Sequence, residues 1–102
     1  MATTTSKALF RGAATTTLTT TLYTAPAATT AIITNIVVTN TAATAATFDL
    51  ALNGVKLADT VAIAADTIVV LDIKQVIAAT QTIQGGASAT TVNFHISGVE
   101  IA

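Results

Sequence analysis

Thr47-Phe48-Asp49-Leu50-Ala51-Leu52-Asn53-Gly54-Val55-Lys56-Leu57-Ala58 is the stretch that decides the fold. Asn53 and Gly54 both tolerate φ > 0, which a type I′ turn requires at its two central residues. A two-residue loop there sets Leu52 against Val55, and Leu50 against Leu57, on one face. Ala51 and Lys56 then face the other side. Turn chemistry and hydrophobic alternation agree on one register, because a slip of one residue would turn every side chain over. Phe48 would fall opposite Asp59, so regular pairing is expected to end or bulge there.

The same strand signals recur on both sides of this hairpin. β-Branched residues dominate the apolar positions, and Gly-Gly, Pro and Ala/Thr clusters separate them, which is strand punctuation. The spacing predicts strands at Ala8–Arg11, Thr17–Tyr23, Thr30–Thr39, Thr47–Asn53, Val55–Ile63, Thr67–Ile73, Thr80–Gln84 and Thr91–Ile101. Lys74–Ala79 is the one helical turn expected, and Gly86-Ala87-Ser88-Ala89 reads as the turn joining the last two strands. Eight short strands about ten residues apart point to an all-β fold: a single antiparallel β-sandwich, jelly-roll-like, with an Ig-like sandwich as the alternative.

Parity within the strands adds detail. Val92, Phe94 and Ile96 alternate with Asn93, His95 and Ser97, and after Gly98 the apolar positions become Val99 and Ile101. One extra residue at Gly98, a β-bulge, accounts for the switch. In Thr30–Thr39, Ile32, Ile36 and Val38 share one face, with Ile33 and Val37 opposite. In Thr67–Ile73, Val69, Leu71 and Ile73 share one face, with Ile68 and Val70 opposite. A sandwich normally leaves polar side chains on the outer face of each sheet. Apolar residues on both faces mean that something covers the outer one: a loop, the N-terminal arm, or another subunit. Residues 1–16 are read as an extended arm carrying the strand Ala8–Arg11, and residues 17–102 as the sandwich domain. Leu9 and Phe10 of the arm, with the outward set Ile33, Val37, Ile68 and Val70, are the expected interface residues.

Composition narrows the function. Thr occurs 23 times and Ala 22 times in 102 residues, while only 9% are Asp, Glu, Lys or Arg, against about 25% in an average protein. Cys is absent and His95 is the only histidine. A metal site needs three or four converging ligands, and Asp49, Asp59, Asp66 and Asp72 form no cation-binding loop. Asp49 and Asp72 are expected on outward faces, Asp66 in a turn, and His95 on the solvent face beside Asn93 and Ser97. No nucleophile stands beside a base in any familiar spacing, and Gly85-Gly86 is not a phosphate loop. The formal net charge is −1, with Lys7, Arg11, Lys56 and Lys74 scattered, so no basic patch for phosphates is legible. Phe48 and Phe94 have core parity, which leaves Tyr23 as the aromatic expected near the surface. No apolar run approaches the roughly 20 residues of a membrane helix, and the first residues lack the apolar core of a signal peptide. The chain reads as a soluble protein made in the cytosol, non-enzymatic, without a cofactor, and with neither nucleic acid nor membrane as partner.

Leu22-Tyr23-Thr24-Ala25-Pro26-Ala27 leads into Thr34-Asn35-Ile36-Val37-Val38-Thr39-Asn40, then Phe48–Gly54, and a closing Val92–Ile101 containing Ile96-Ser97-Gly98-Val99-Glu100. Over residues 17–101 this pattern resembles the small β-sandwich virion proteins of tailed bacteriophages. The resemblance implies a structural role on the particle, as a capsid decoration or cement protein stabilising the head lattice. A tail or fibre module, receptor- or carbohydrate-binding, is the alternative. The implied partners are copies of the chain itself, as a homo-oligomer with a trimer favoured, and the phage major capsid protein. The implied location is the virion, after synthesis in the host cytoplasm.

Overall fold

The computed structural model describes residues 3–102; residues 1 and 2 of the expected arm lie outside the described residues. The described residues form nine strands and no helix: β1 (Thr4–Ala13), β2 (Thr21–Thr24), β3 (Thr30–Asn40), β4 (Ala46–Leu52), β5 (Val55–Ile63), β6 (Thr67–Leu71), β7 (Gln75–Ile77), β8 (Thr82–Ala87) and β9 (Val92–Ile101). One sheet runs β1-β9-β3-β6, with β7 also on β3, and the other runs β2-β8-β4-β5. The two pack as a β-sandwich elongated to 49 × 21 × 18 Å. β4 and β5 form the one hairpin of consecutive strands; elsewhere the chain changes sheet, except between β6 and β7. First and last strands lie side by side. This order differs from the Ig-like alternative, where several consecutive strands are sheet neighbours.

The Asn53-Gly54 turn forms with φ of 50° and 82°, and Leu52–Val55 and Ala51–Lys56 are opposite one another. Beyond that the register departs from the simple expectation. Leu50 faces Ala58 instead of Leu57, and Phe48 faces Val61, because β5 carries extra residues in two irregularities. The expected disturbance near Phe48 is therefore present, and it begins one step earlier.

The irregularity expected inside the last strand lies in its neighbours instead. β9 keeps its alternation, with Val92, Phe94, Ile96 and Gly98 buried. The extra residues are Leu9 in β1 and Thr34 in β3, where the registers of both flanking strands shift. A Cβ on Gly98 would overlap the Ile32 carbonyl oxygen and come within 2.9 Å of Leu9 Cδ1, so the strands close in there as only glycine permits. The Thr34 bulge also corrects the faces of β3: Ile33, Ile36 and Val38 all point inward, leaving Ile32 and Val37 outside.

Opposite that bulge the edge strand breaks. β6 pairs with Ile36–Asn40 and β7 with Ala31–Ile33, with residues 72–74 between them unpaired. The helical turn expected at Lys74–Ala79 is not formed. Gln75-Val76-Ile77 are strand residues, and Ile77, 1% exposed, fills the core.

Two further expectations are corrected by one loop. Only residues 21–24 of the expected strand Thr17–Tyr23 and its surroundings are β2; residues 15–20 form a threonine loop. Thr20 Oγ1 donates to Thr17 O at 2.9 Å and lies 2.6 Å from Thr15 Oγ1, bonds by which threonine hydroxyls compete with a ladder. The loop lies on β8, where the amides of Gly85 and Ala87 donate to Thr20 O and Thr15 O, both at 2.9 Å. Gly85-Gly86-Ala87 is thus buried strand and not turn. A Cβ on Gly86 would overlap Thr17 O and sit 2.8 Å from Leu18 Cα.

The core combines inward residues of both sheets around Phe48 and Phe94, whose rings meet edge-on at 6.2 Å and 74°. The segment expected as an arm is extended, and residues 4–13 run as β1 along β9 of this chain.

Candidate functional site

The outer face of the first sheet is built from three rows. β3 sets Val37 between Val70 and His95, Thr39 between Ile68 and Asn93, and Ile32 between Val76 and Val99. With Ile101, opposite Thr30, seven aliphatic side chains share this face, the others being Ile32, Val37, Ile68, Val70, Val76 and Val99. Ile68, Val70 and Val76 are 60%, 55% and 63% exposed. Asn93, His95 and Ser97, half-buried, stand on the same face toward β1, as their alternation requires.

The expected interface residues divide here. Ile68 and Val70 lie on this face and are exposed; Val37 lies beside them, half-buried. Leu9 and Ile33, 6% and 0% exposed, belong to the core of the chain itself. The bulges at Leu9 and Thr34 turn both inward. Phe10 packs partly buried against that core. Sequence reasoning missed Val76, placed in a helical turn, and Ile32, placed inward. The β-branched pair Val76-Ile77 was the available signal for a strand there.

Two carboxylates, Asp49, expected on an outward face, and Glu100, are engaged. Asp49 points to the outer face of its sheet, yet its side chain is only 4% exposed. Lys56 Nζ donates to Asp49 Oδ2 at 2.5 Å, and the Thr60 amide donates to Oδ1 at 3.2 Å. These bonds, the Lys56 one foremost, hold the Asp49 carboxyl below the ordinary aspartate range against the opposing effect of burial. Thr60, at φ 50°, aims its amide at the carboxylate from the bulge of β5. At the opposite side, the Tyr23 hydroxyl donates to Glu100 Oε2 at 2.5 Å, and Lys7 lies 3.4 Å from the same carboxylate. The Tyr23 bond, with Lys7 after it, lowers the Glu100 pKa. Burial, then Glu100, raise that of Tyr23. Tyr23 is 9% exposed, which corrects its expected surface position.

A shallow cleft opens between β5 and β7, lined by Leu52, Leu57, Val76 and Gln81 among others. Its charged residue is Lys56, already held by Asp49. Among the described residues no three His, Asp or Glu side chains gather as metal ligands. The outer face of the first sheet offers apolar contact, and the free side of β6 offers backbone pairing.

No family model and no curated protein matches this chain. Among solved structures it is similar to the crystal structure of a pentameric capsid protein isolated from metagenomic phage sequences, with a TM-score of 0.37 and 15% identity, covering 97% of this chain. The chain spans 59% of the length of that protein, and a likeness this loose carries no functional argument.

Proposed function

We propose that the chain is a non-enzymatic structural protein of a tailed-phage virion, a decoration or cement protein of the capsid. The observation that carries this reading is the uncovered aliphatic face of the first sheet. Sheet faces turned to water are normally polar, and contiguous exposed apolar patches mark protein contacts. The composition supports it: nine formally charged residues in 102 leave little charge to strip on docking, and Ala and Thr lose little side-chain entropy. A cement contact repeated over a symmetric lattice gains from multiplicity even when each contact is modest. The partners proposed are further copies of the chain and the major capsid protein. The resemblance carried by residues 17–101 to phage virion sandwiches points the same way. A sugar-binding tail module is less well supported, because Tyr23, the aromatic expected to serve as its platform, is buried.

The test is co-sedimentation of the purified chain with phage heads assembled without it. The wild type is expected to bind saturably and to raise the temperature at which heads release DNA. Ile68→Lys with Val70→Lys is expected to abolish binding while the protein stays folded. Failure of the wild type to bind contradicts the reading.

A further inference from the structure

We infer that β6 is an open sheet edge through which two copies of this chain pair, antiparallel across a two-fold axis, into one continuous sheet. The inference rests on the reading above, in which copies of the chain are a partner, and it names the surface and the geometry.

The edges of the two sheets differ in how they are protected. Native sandwiches protect edge strands with charges, bulges, short length or proline. β1 carries Lys7 and Arg11 and the Leu9 bulge. β2 has four residues, a register shift between Thr21 and Tyr23, and Pro26 just beyond it. β5 carries Lys56 and Asp59, two register shifts and the left-handed Thr60. β6 has none of these devices. Its residues, Thr67-Ile68-Val69-Val70-Leu71, are uncharged and pair with β3 in unbroken register. Among the described residues, nothing pairs with its other side. An edge this flat and β-branched is a template for another strand.

Charge chooses the partner and the register. β7, on the same side of β3, has only three residues, so the edge that fits β6 is β6 of a second copy, an isologous contact. Keeping both aliphatic faces on one side requires residues of like parity opposite one another. A pairing centred on Val69 would set Asp66 against Asp72 of the second copy at both ends. A pairing centred on Val70 instead brings Asp66 toward Lys74 of the second copy, twice. Lys74 is exposed and holds only Asp72, at 3.0 Å. The Val70 register sets Val70 against Val70 across the axis and opposite charges at its ends, with Ile68 beside Asp72 of the second copy. It makes a dimer. A trimer through sheet edges would need a second open edge.

Sedimentation equilibrium of the full chain tests this. The wild type is expected to be a reversible dimer at concentrations up to about 100 µM. Val70→Lys is expected to be a monomer with unchanged circular dichroism and thermal midpoint. Lys74→Glu is expected to raise the dimer Kd by about tenfold, since the change acts at both ends. Arg11→Glu, on the far edge of the same sheet, is expected to leave the Kd unchanged. A wild type that stays monomeric, or a Val70→Lys variant that still dimerises, overturns the inference. Head binding separates the two ideas: a chain that binds heads without dimerising sinks the edge pairing alone. A chain that dimerises but never binds heads sinks the virion reading and leaves the pairing standing.

Discussion

Asn40, 2% exposed, holds three loops with one side chain. Its Nδ2 donates to Thr44 O at 2.8 Å and Ala64 O at 3.3 Å, and its Oδ1 accepts from the Ala42 amide at 3.1 Å and Thr91 Oγ1 at 3.2 Å. Donors and acceptor are all used. Asn40→Asp removes both donors and sets a charge against two carbonyls, so stability is expected to fall by about 3 kcal/mol; an unchanged urea midpoint would contradict this. Asp49 and Glu100 give the acid limb its sign. Both have folded pKa values below their ordinary ones, so their stabilisation is complete above the unfolded carboxylate pKa, about 4. It is lost as pH falls through the lowered folded values. Thermal midpoints are expected to decline below about pH 4, and Asp49→Asn is expected to make that decline shallower. A steeper decline in the variant would count against the assignment. Neither role was legible in the sequence. Alternation correctly put Asp49 outward, but burial of an outward carboxylate depends on where Lys56 and the β5 bulge fold over it. The strand expected from the sequence ends at Thr39 and gives Asn40 no role, since its partners lie up to 51 positions away.

Elements were legible wherever local chemistry and alternation agree. The Asn53-Gly54 hairpin, the solvent parity of His95 and the core parity of Phe48 and Phe94 needed no tertiary knowledge. What failed was the placing of extra residues. A parity change in β9 reads locally as a bulge at Gly98, while both neighbours bulge instead, because a bulge is a property of a pair of strands. That shift moved Ile33 into the core and brought Ile32 out. The threonine loop and Gly85-Gly86 failed together: the glycines look like a turn, but they are small because a loop lies on them. Gly86→Ala would drive a Cβ into the Thr17 carbonyl, against backbone that cannot yield as a side chain would. It is expected to cost about 3 kcal/mol, read as a lowered denaturant midpoint. A neutral effect would show that residues 15–20 do not pack on β8.

At the scale of the molecule, a charge-poor surface and a two-faced first sheet belong together. The inward half of each strand supplies one core shared by both sheets, and the outward half of β6, β7 and β3 is left aliphatic with no element above it among the described residues. Ile68→Lys and Val70→Lys add charge at side chains more than half exposed. Each is expected to change stability by no more than about 0.5 kcal/mol, so that lost association cannot be traced to lost folding. Strand spacing made the sandwich legible, and composition its charge poverty. It could not say which face stays open, because that follows from the Thr34 bulge and the break between β6 and β7. The proposed role has this surface covered in a virion. It is tested most directly by counting copies of the chain in purified particles of its phage, by quantitative mass spectrometry against the major capsid protein. A fixed stoichiometric ratio to the capsid protein is the expected result; particles that are complete and contain none of the chain would contradict it.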